Sequence, residues 1–503
     1  MRVSTQAFFQ RNTTSILESQ ARTSNLNVHL TEGKRVLHGA DDPVAAASIQ
    51  RLKQTISVNE QYVKNIEVAD AANAQEESTL GQMVNILQRV RELLVSAGDG
   101  VYSLENLDTV AQELEELKEE LMGLGNTRDG NSEYIFAGYD VDSQPFQVNE
   151  FGTVEFFGDK GIRELQVGSG VDAAINDSGF DLLMNISNGN GSFNSTIGAN
   201  NTGSGVIEEG VVFDPAVASN FQGEEYSIHI TAPGGGQPNQ YSVYSIEAAT
   251  VAGNATVKLA GVDLNDPAIA NVNPSDVYPN VGSSVNVAFL ATATPGEFEV
   301  QINGQTSLPA TYDANTATTQ QITIDGMTVE VEGIPVAADS YQVNKYIAPT
   351  QYYQDQSIEF NGVRTKLKGE PLDKDAFTLS PSSNTDIFAT IQSAIDALRI
   401  PGETDTQEAL RLTQLNMAQL ELDQGMDTVI NTRSRVGARM QTLVNQTSIS
   451  EEFKLVSQSA MSKLEDLDMA QAISDLQLEQ TSLEVAQQTF VQLQRLNLFD
   501  LIR

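Results

Sequence analysis

The pattern of apolar and polar positions divides the chain into two helical ends and a β-like middle. Of the 15 prolines in the 503 residues, 14 lie between Pro145 and Pro401. Proline removes a backbone donor and clashes inside helices, so the ends that lack it can form long helices. The pattern therefore predicts an α+β multidomain protein, in which both termini form a long helical coiled-coil core and a β-rich middle domain is inserted between them.

The first long helix has a clear predicted start at Asp41, Asp42 and Pro43. Asp42 is a suitable N-cap, and Pro43 fits the first helical position. Apolar residues then recur at heptad spacing, which is typical of a coiled-coil seam, and Gly98 is expected to end the helix. The apolar seam positions are Ile49, Leu52, Ile56, Val63, Ile66, Leu80, Val84, Leu87 and Leu94, and polar breaks fall at Asn59, Asp70, Asn73, Glu77 and Arg91.

The two extreme segments carry apolar residues that indicate an assembly interface. Eight of the last 14 residues are apolar, and an apolar terminal helix is expected to need a partner surface. The alternative is an ordinary helical core. The candidate interface residues are Phe8, Phe9, Ile16, Leu17, Ile473, Leu476, Leu483, Phe490, Leu493, Leu496, Leu498 and Phe499.

The middle reads as β structure, because alternating runs flank tight-turn signals. Asp325-Gly326, Asn303-Gly304 and Asn361-Gly362 each predict a hairpin. In one further strand, Tyr226, Ile228 and Ile230 share a face opposite Ser227 and His229. Residues 185–205 are rich in Gly, Asn and Ser, which predicts a flexible loop.

Composition and charge exclude several classes of protein. The 67 acidic against 29 basic residues give a formal charge of −38, which repels nucleic acid and anionic membranes. No apolar run is long enough for membrane insertion, and the first 30 residues lack a secretory signal core. Cysteine is absent, so disulfides and thiolate metal sites are excluded.

The chain also lacks a pattern typical of an enzyme. It has three histidines, His29, His38 and His229, for which a polar structural role is expected, and no recognised catalytic or phosphate-binding motif. The adjacent pairs Glu208-Glu209 and Glu224-Glu225 are expected to be solvated loop charges. We therefore predict no catalytic residue, cofactor or metal. Calcium sites or a saline habitat would also fit the acidic surface.

Several segments together resemble the flagellin superfamily, and the Asp41-Asp42-Pro43 form is closer to its hook–filament junction branch than to flagellin itself. Glu32 and His38 depart from the small or polar residues that the superfamily often has there, and the middle is long. The similar segments are Arg2 to Thr5, Glu32 to Val36, Gly39 to Ala47, Tyr134 to Tyr139 with Pro145-Phe146, Arg433 to Ala438, Leu464 to Leu467, Gln480 to Leu483 and Leu496 to Phe499.

The resemblance implies a structural adaptor at the hook–filament junction of an extracellular bacterial flagellum. It implies export through the flagellar type III channel without a cleaved signal peptide. The implied partners are a ring of copies of the chain itself, hook-associated protein 1, flagellin and a flagellar export chaperone. Flagellin itself, or an adhesin-like binding role for the β middle, remain alternatives.

The expected domains follow from the helical and β segments. We expect an N-terminal assembly helix in residues 1–40. The core would comprise residues 41–174, with a β-hairpin near 134–160, and residues 381–455. The inserted β-rich outer domain would span 175–380, and a C-terminal assembly helix would occupy 456–503.

Overall fold

The structure is a computed structural model. It describes residues 5–98, 102–198, 200–218, 225–262, 284–302, 305–315, 319–324 and 327–500. Within those ranges, the side chains of residues 5–9, 248, 250, 261–262, 305–309, 324 and 493–500 lie outside the description. The predicted architecture is confirmed, because long helices from both ends flank a β-rich middle.

The helices occupy the two ends of the chain, as the proline distribution predicts. Within α2 the apolar seam residues Leu80, Val84, Leu87 and Leu94 are buried, whereas Asn73 breaks the seam as a buried polar residue. This helix begins at Pro43 and ends at Gly98, as predicted. The helices are α1 (Thr5–Glu32), α2 (Pro43–Gly98), α3 (Leu104–Gly125), the single turn α4 (Pro215–Ala218), α5 (Ile387–Leu398), α6 (Asp405–Glu465) and α7 (Met469–Asp500), with a π-helical turn at Phe180–Met184.

The strands pair antiparallel in several sheets. The largest has eight strands in the order β14-β13-β12-β17-β10-β9-β20-β6, and two smaller sheets are β11-β16-β15 and β18-β19-β7 with β8 beside β19. The strands are β1 (Phe146–Val148), β2 (Val154–Phe156), β3 (Glu164–Gly168), β4 (Val171–Ala174), β5 (Ile186–Ser187), β6 (Phe193–Ile197), β7 (Val206–Ile207), β8 (Val211–Val212), β9 (Glu225–Thr231), β10 (Gln240–Thr250), β11 (Thr256–Val262), β12 (Ser284–Ala291), β13 (Glu297–Ile302), β14 (Gln305–Asp313), β15 (Thr319–Ile324), β16 (Met327–Glu332), β17 (Ser340–Gln351), β18 (Gln356–Phe360), β19 (Val363–Lys368), β20 (Ala376–Pro381) and β21 (Asn384–Thr385).

The chain forms two compact units. The first, the terminal unit, comprises residues 1–71, 164–175 and 439–503, and the second, the central unit, comprises 72–163 and 176–438. In the terminal unit, the β3-β4 hairpin packs between two long helices, because Val167 and Ala173 are buried with Ile66 of α2 and Leu443 of α6. Asn65 Nδ2 donates to the Gln166 carbonyl at 2.7 Å and fixes the hairpin.

In the central unit the eight-stranded sheet carries one small sheet on each face. In the register of β9 with β10, Val243 is opposite Ile228, and Tyr244 is opposite Ser227. Val243 belongs to a core with the β18-β19-β7 sheet, whereas Tyr244 belongs to a core with the β11-β16-β15 sheet. Successive strand residues point to opposite faces, so the two cores lie on opposite sides of one sheet.

The predicted hairpins have the expected strands. Asn361 and Gly362 join β18 to β19 with φ of 42° and 75°, as a two-residue turn with two positive φ angles requires. The turn residues Asp325-Gly326 and Asn303-Gly304 lie outside the described residues, but the strands on either side pair directly. Tyr226, Ile228 and Ile230 share one face, as predicted.

The loop predicted at 185–205 is wrong for residues 186–187 and 193–197, which form strands. Residues 193–197 form β6, which pairs with β20 at the edge of the large sheet. The Gly and Asn residues make the turn before it: Gly189 and Gly191 have positive φ, and the Asn190 Oδ1 accepts from the Phe193 amide at 2.9 Å. Composition cannot show the pairing partner, which lies about 180 residues further along the chain.

The carboxylates of Glu209 and Glu225 are also not solvated, contrary to the expectation from sequence. One Glu209 oxygen is buried without a hydrogen-bond partner in the described part of the chain. Burial, followed by repulsion from Glu421 and Glu208, raises the Glu209 pKa to about 8. Burial also raises the pKa of Glu225, against the opposing effect of Lys258. Glu224 lies outside the described residues.

Candidate assembly site

The terminal helices α1 and α7 pair along a heptad stripe in the terminal unit. The stripe positions of α1 include Ile16 and Leu26, and those of α7 include Leu476, Leu483 and Phe490; all are half-buried. The turn after α1 contacts the turn before α7, so the helices run antiparallel. The candidate residues Ile16, Leu476, Leu483 and Phe490 therefore lie on the stripes that face the partner helix within the same chain.

A polar contact fixes the register of this helix pair. Glu479 Oε1 accepts from Ser19 Oγ at 2.7 Å and from Arg22 Nε at 2.8 Å. The hydrogen bond from Ser19, then that from Arg22, lowers the pKa of Glu479. Because the three groups meet at one point of an otherwise repetitive stripe, a shift of one heptad would separate them.

The outward sides of both helices remain apolar at several positions. Leu17 on α1 is 59% exposed and Leu478 on α7 is 72% exposed. A pair of helices buries only one stripe on each member, so residues on the opposite sides need another surface to cover them. We call the exposed apolar residues of the two helices, taken together and on more than one side of α7, the exposed stripe: Leu17, Val28, Met469, Ile473, Leu478, Val485 and Val491.

Two candidate residues, Leu17 and Ile473, belong to the exposed stripe. The backbone of α1 and α7 includes Phe8, Phe9, Leu493, Leu496, Leu498 and Phe499. The side chains of these six lie outside the described residues. Their proposed role in assembly stays a prediction.

The two connections that flank the pair are joined to each other, and we call residues 33–42 and 466–468 the elbow. Lys34 and Asp466 form an antiparallel bridge. The Arg35 amide donates to the Glu465 carbonyl at 2.7 Å, and the Leu467 amide donates to the Gly33 carbonyl at 3.0 Å. The two non-helical connections therefore lie side by side. Backbone groups that have no helical partner in one connection form hydrogen bonds with the other.

A carboxylate holds the elbow against α2. Glu465 is 7% exposed, and its Oε1 lies 2.7 Å from Lys34 Nζ and 3.3 Å from Lys53 Nζ. The hydrogen bond from Lys34 is the largest influence that lowers the Glu465 pKa. Beside it, Val36, Ala45 and Ile49 form a small core, so charge and apolar packing both fix the elbow.

The start of α2 is fixed by two neighbouring carboxylates with different partners. Asp42 Oδ1 accepts from the amides of Val44 at 3.1 Å and Ala45 at 2.9 Å, which caps the helix that begins at Pro43. Asp41 Oδ2 accepts from the amides of His38 at 2.8 Å and Leu37 at 3.0 Å. These two bonds lower the Asp41 pKa, His38 more than Leu37.

Sequence reasoning selected the apolar stripes but missed the elbow as a unit. The segments around Gly33 and Glu465 are far apart in the sequence, and the opposite charges of Lys34 and Glu465 are the one local signal that they could meet. Their pairing spans 431 residues, and one sequence does not show which of 67 acidic residues meets Lys34.

The described residues contain neither a group of three potential metal ligands nor a helix with the length and hydropathy of a membrane span. The three histidines have separate settings. His29 Nδ1 bonds the Lys34 carbonyl at 2.8 Å, and His38 is exposed. His229 Nε2 lies 2.7 Å from Ser227 Oγ, and burial lowers the His229 pKa to about 3.

The helical ends match the models of two protein families. Residues 3–140 match the bacterial flagellin N-terminal helical region, and residues 420–502 match the bacterial flagellin C-terminal helical region. These two ranges include both strands of the elbow and most of the paired terminal helices.

The chain is also similar to two curated flagellar proteins. It is 34% identical over 186 residues to flagellar hook-associated protein 3 of Salmonella typhimurium, covering 37% of this chain and 58% of that protein. It is 37% identical over 146 residues to flagellar hook-associated protein 3 of Escherichia coli, covering 29% and 46% respectively. The matched region thus spans about half the length of these relatives.

A solved structure shares the fold over most of the chain. The flagellar hook-associated protein-3 of Legionella pneumophila aligns with a TM-score of 0.60 and 24% identity, over 83% of this chain and 98% of that one. The chain therefore carries matches to both helical regions of bacterial flagellin at its ends, and it shares the fold of this solved structure.

Proposed function

We propose that this protein is a structural subunit of the bacterial flagellum, an extracellular adaptor at the hook–filament junction. The observation that carries the proposal is the antiparallel pair α1–α7, which belongs to the flagellin helical regions and leaves an apolar stripe uncovered. Neighbouring subunits would cover this stripe. The similarity to hook-associated protein 3 favours the junction over the filament.

The partners follow from this assignment. Copies of the chain would form a ring, with hook-associated protein 1 on the hook side and flagellin on the filament side. Before export, a flagellar chaperone would cover the terminal helices, whose exposed stripe would otherwise associate in the cell. The relatives are structural flagellar proteins, and a structural rather than an enzymatic role is proposed for this chain.

Immunogold labelling tests the location. An epitope inserted at Gly235 would be accessible, because Gly234, Gly235 and Gly236 form an exposed turn between β9 and β10. We expect gold particles in a narrow band at the hook–filament boundary of intact flagella. A strain with the untagged protein measures background labelling.

Flagellin is the second candidate, and the same experiment separates it. A filament subunit would be labelled along the whole filament and would dominate the protein content of sheared filaments. Label along the filament would therefore overturn the junction assignment, whereas a trace amount in sheared filaments together with the boundary band would support it.

A further inference from the structure

The eight-stranded sheet leaves a polar area on the face that carries the β11-β16-β15 sheet. That small sheet covers the apolar half of the face, where Val287, Phe289 and Val300 are buried beneath it. Over β9, β20 and β6 the same face carries polar side chains, because the apolar residues of these strands point into the core on the other side. A cleft of about 470 Å³ lies over this polar area.

The floor of the cleft consists of two polar cross-strand pairs. Thr378 of β20 is paired with Thr196 of β6, and Ser380 is paired with Asn194. All four side chains line the cleft. Asn194 Oδ1 is buried and has no hydrogen-bond partner in the described part of the protein. An unpaired buried acceptor is costly, and rotation of the Asn194 amide toward the cleft would let a ligand hydroxyl satisfy it.

The wall contains one side chain from each strand of the small sheet. Lys258 of β11 is opposite Glu330 of β16, and Glu330 is opposite Gln321 of β15. Gln321 Nε2 donates to Glu330 Oε2 at 3.0 Å, and Lys258 Nζ lies 3.7 Å from Glu225 Oε2. These contacts hold the polar ends of the wall residues in place around the cleft.

The formal charges of the residues that line the cleft cancel. Lys258 and Lys374 offset Glu225 and Glu330, and the remaining polar lining consists of hydroxyls and amides. Hydroxyls and amides both donate and accept hydrogen bonds. Among the described residues the lining has no aromatic ring, so these residues offer no platform for stacking a nucleobase. Ile197 and Leu259 are the large apolar side chains that line it, which does not suit a hydrophobic ligand.

From this combination we infer that the cleft binds an uncharged oligosaccharide. The volume lies within the range of about 300–1,000 Å³ that small-ligand sites occupy. Sugar hydroxyls match the mixed donors and acceptors of the floor, and the balanced lining does not select a charged ligand. The central unit would then carry a binding activity separate from the assembly role of the terminal helices.

A glycan array tests this inference with the purified full-length chain. The array carries neutral, sialylated and sulfated oligosaccharides, and we expect binding to neutral members. Competition by the same oligosaccharide in solution distinguishes binding to the sugar from binding to the linker or the array surface. Binding confined to charged members, no binding to any member, or binding that the free sugar does not compete would each overturn the inference.

Two variants assign the binding to the cleft. Thr196→Val with Thr378→Val keeps side-chain volume and removes the two threonine hydroxyls of the floor, and Asn194→Ala removes the unpaired acceptor. Each is expected to weaken binding of the selected sugar about tenfold, the loss of about one good hydrogen bond. Thr256→Val, on an exposed position of β11 outside the cleft, should bind as the parent does. Equal affinity in all three variants, each with an unchanged melting temperature, would place the binding elsewhere and overturn the inference.

Discussion

Glu465 shows how one side chain joins three distant parts of this sequence. Its carboxylate contacts Lys34 in the elbow and Lys53 on α2, while its backbone carbonyl accepts from Arg35. A charged group that is largely buried needs such partners, since removal from water is otherwise unfavourable. The residue therefore positions the elbow, and the elbow sets where α1 and α7 leave the rest of the terminal unit.

Glu465→Gln tests this positioning role. The substitution keeps the size of the side chain but removes the charge that attracts both lysines, so the elbow should open more often. We expect amide hydrogens of Arg35 and Leu467 to exchange several-fold faster, because their bonds form the backbone bridge. Glu452→Gln, at an exposed position of α6, is the matched control. Unchanged exchange at both amides would show that backbone and apolar contacts suffice.

Glu209→Gln tests the buried carboxyl of the central unit. The Glu209 pKa is raised to about 8 by burial and by Glu421 and Glu208, so the folded state keeps a proton that the unfolded state releases above about pH 4.5. The folded state therefore loses stability as pH rises from about 4.5 to 8. The glutamine variant avoids this loss, and its stability advantage should reach on the order of 2 kcal/mol at pH 8.

Thermal unfolding of the central unit at pH 5 and pH 8 measures the effect. The melting temperature of Glu209→Gln relative to the parent should rise between the two pH values. Glu150→Gln, at an exposed position, should show no such trend. A relative melting temperature that is the same at both pH values would mean that Glu209 ionises freely in the folded protein.

At the scale of elements, pairing of α1 with α7 divides their apolar residues into two groups, one that faces the partner helix and one that stays exposed. Leu483 lies on the stripe that faces α1, and Leu478 lies among the exposed apolar residues. Most helix stability in proteins comes from the packing of an apolar face, so the internal stripe is needed to form the pair. If neighbouring subunits bind the exposed stripe, as proposed, the α1–α7 pair presents it to them.

Leu483→Asp is expected to separate the paired helices. A charge on the internal stripe costs several kcal/mol unless it escapes to water, so α1 and α7 should lose helix content and subunit assembly should stop. The core of the central unit does not involve this residue, so its unfolding transition should persist. Circular dichroism, thermal unfolding and filament growth measure these effects. Normal filament growth in this strain would contradict the assembly role of the terminal helices.

Leu478→Asp provides the matched comparison. The side chain is exposed in the single chain, so helix content should stay as in the parent. If neighbouring subunits cover the exposed stripe, filament growth and motility should still fail. A fully motile Leu478→Asp strain would show that this part of the stripe stays in water after assembly.

At the scale of the whole molecule, the β middle is joined to the helical part of its unit by two adjacent strands. Ile186 and Ser187 of β5 pair with Thr385 and Asn384 of β21. One residue further, the Asn188 amide donates to the Ser383 carbonyl at 2.8 Å. The chain therefore enters and leaves the β middle at neighbouring points, as expected for an inserted domain.

The pairing of β5 with β21 defines the ends of a deletion more closely than the predicted domain bounds of 175 and 380. Residues 189–382 can be replaced by Asn-Gly, because a two-residue turn closes such an antiparallel pair. The truncated chain keeps both terminal helices and the elbow, so we expect it to be exported and to support filament growth, with loss of glycan binding. Motility, filament length and the glycan array are the readouts. Failure of filaments to form from an exported, folded truncated chain would mean that the β middle makes essential junction contacts.

Much of this fold could be predicted from the sequence, because its signals are local. Pro43 and Gly98 bound α2 where capping chemistry places them, and alternation identified the faces of β9. The 185–205 segment could not be predicted in this way, since β6 depends on its pairing with β20. The burial of Glu209 was missed for the same reason, because adjacent acidic residues look solvated until a distant segment covers one of them.

The sequence by itself determined the element types, the helical ends and the apolar stripes, since backbone preferences and side-chain periodicity act over a few residues. It also carried the segments that match the flagellin helical regions at both ends. Tertiary structure alone decided that Lys34 meets Glu465, that the two cores lie on opposite faces of one sheet, and that a polar cleft remains beside the smaller sheet. These features depend on contacts between residues hundreds of positions apart, which local chemistry permits but does not specify.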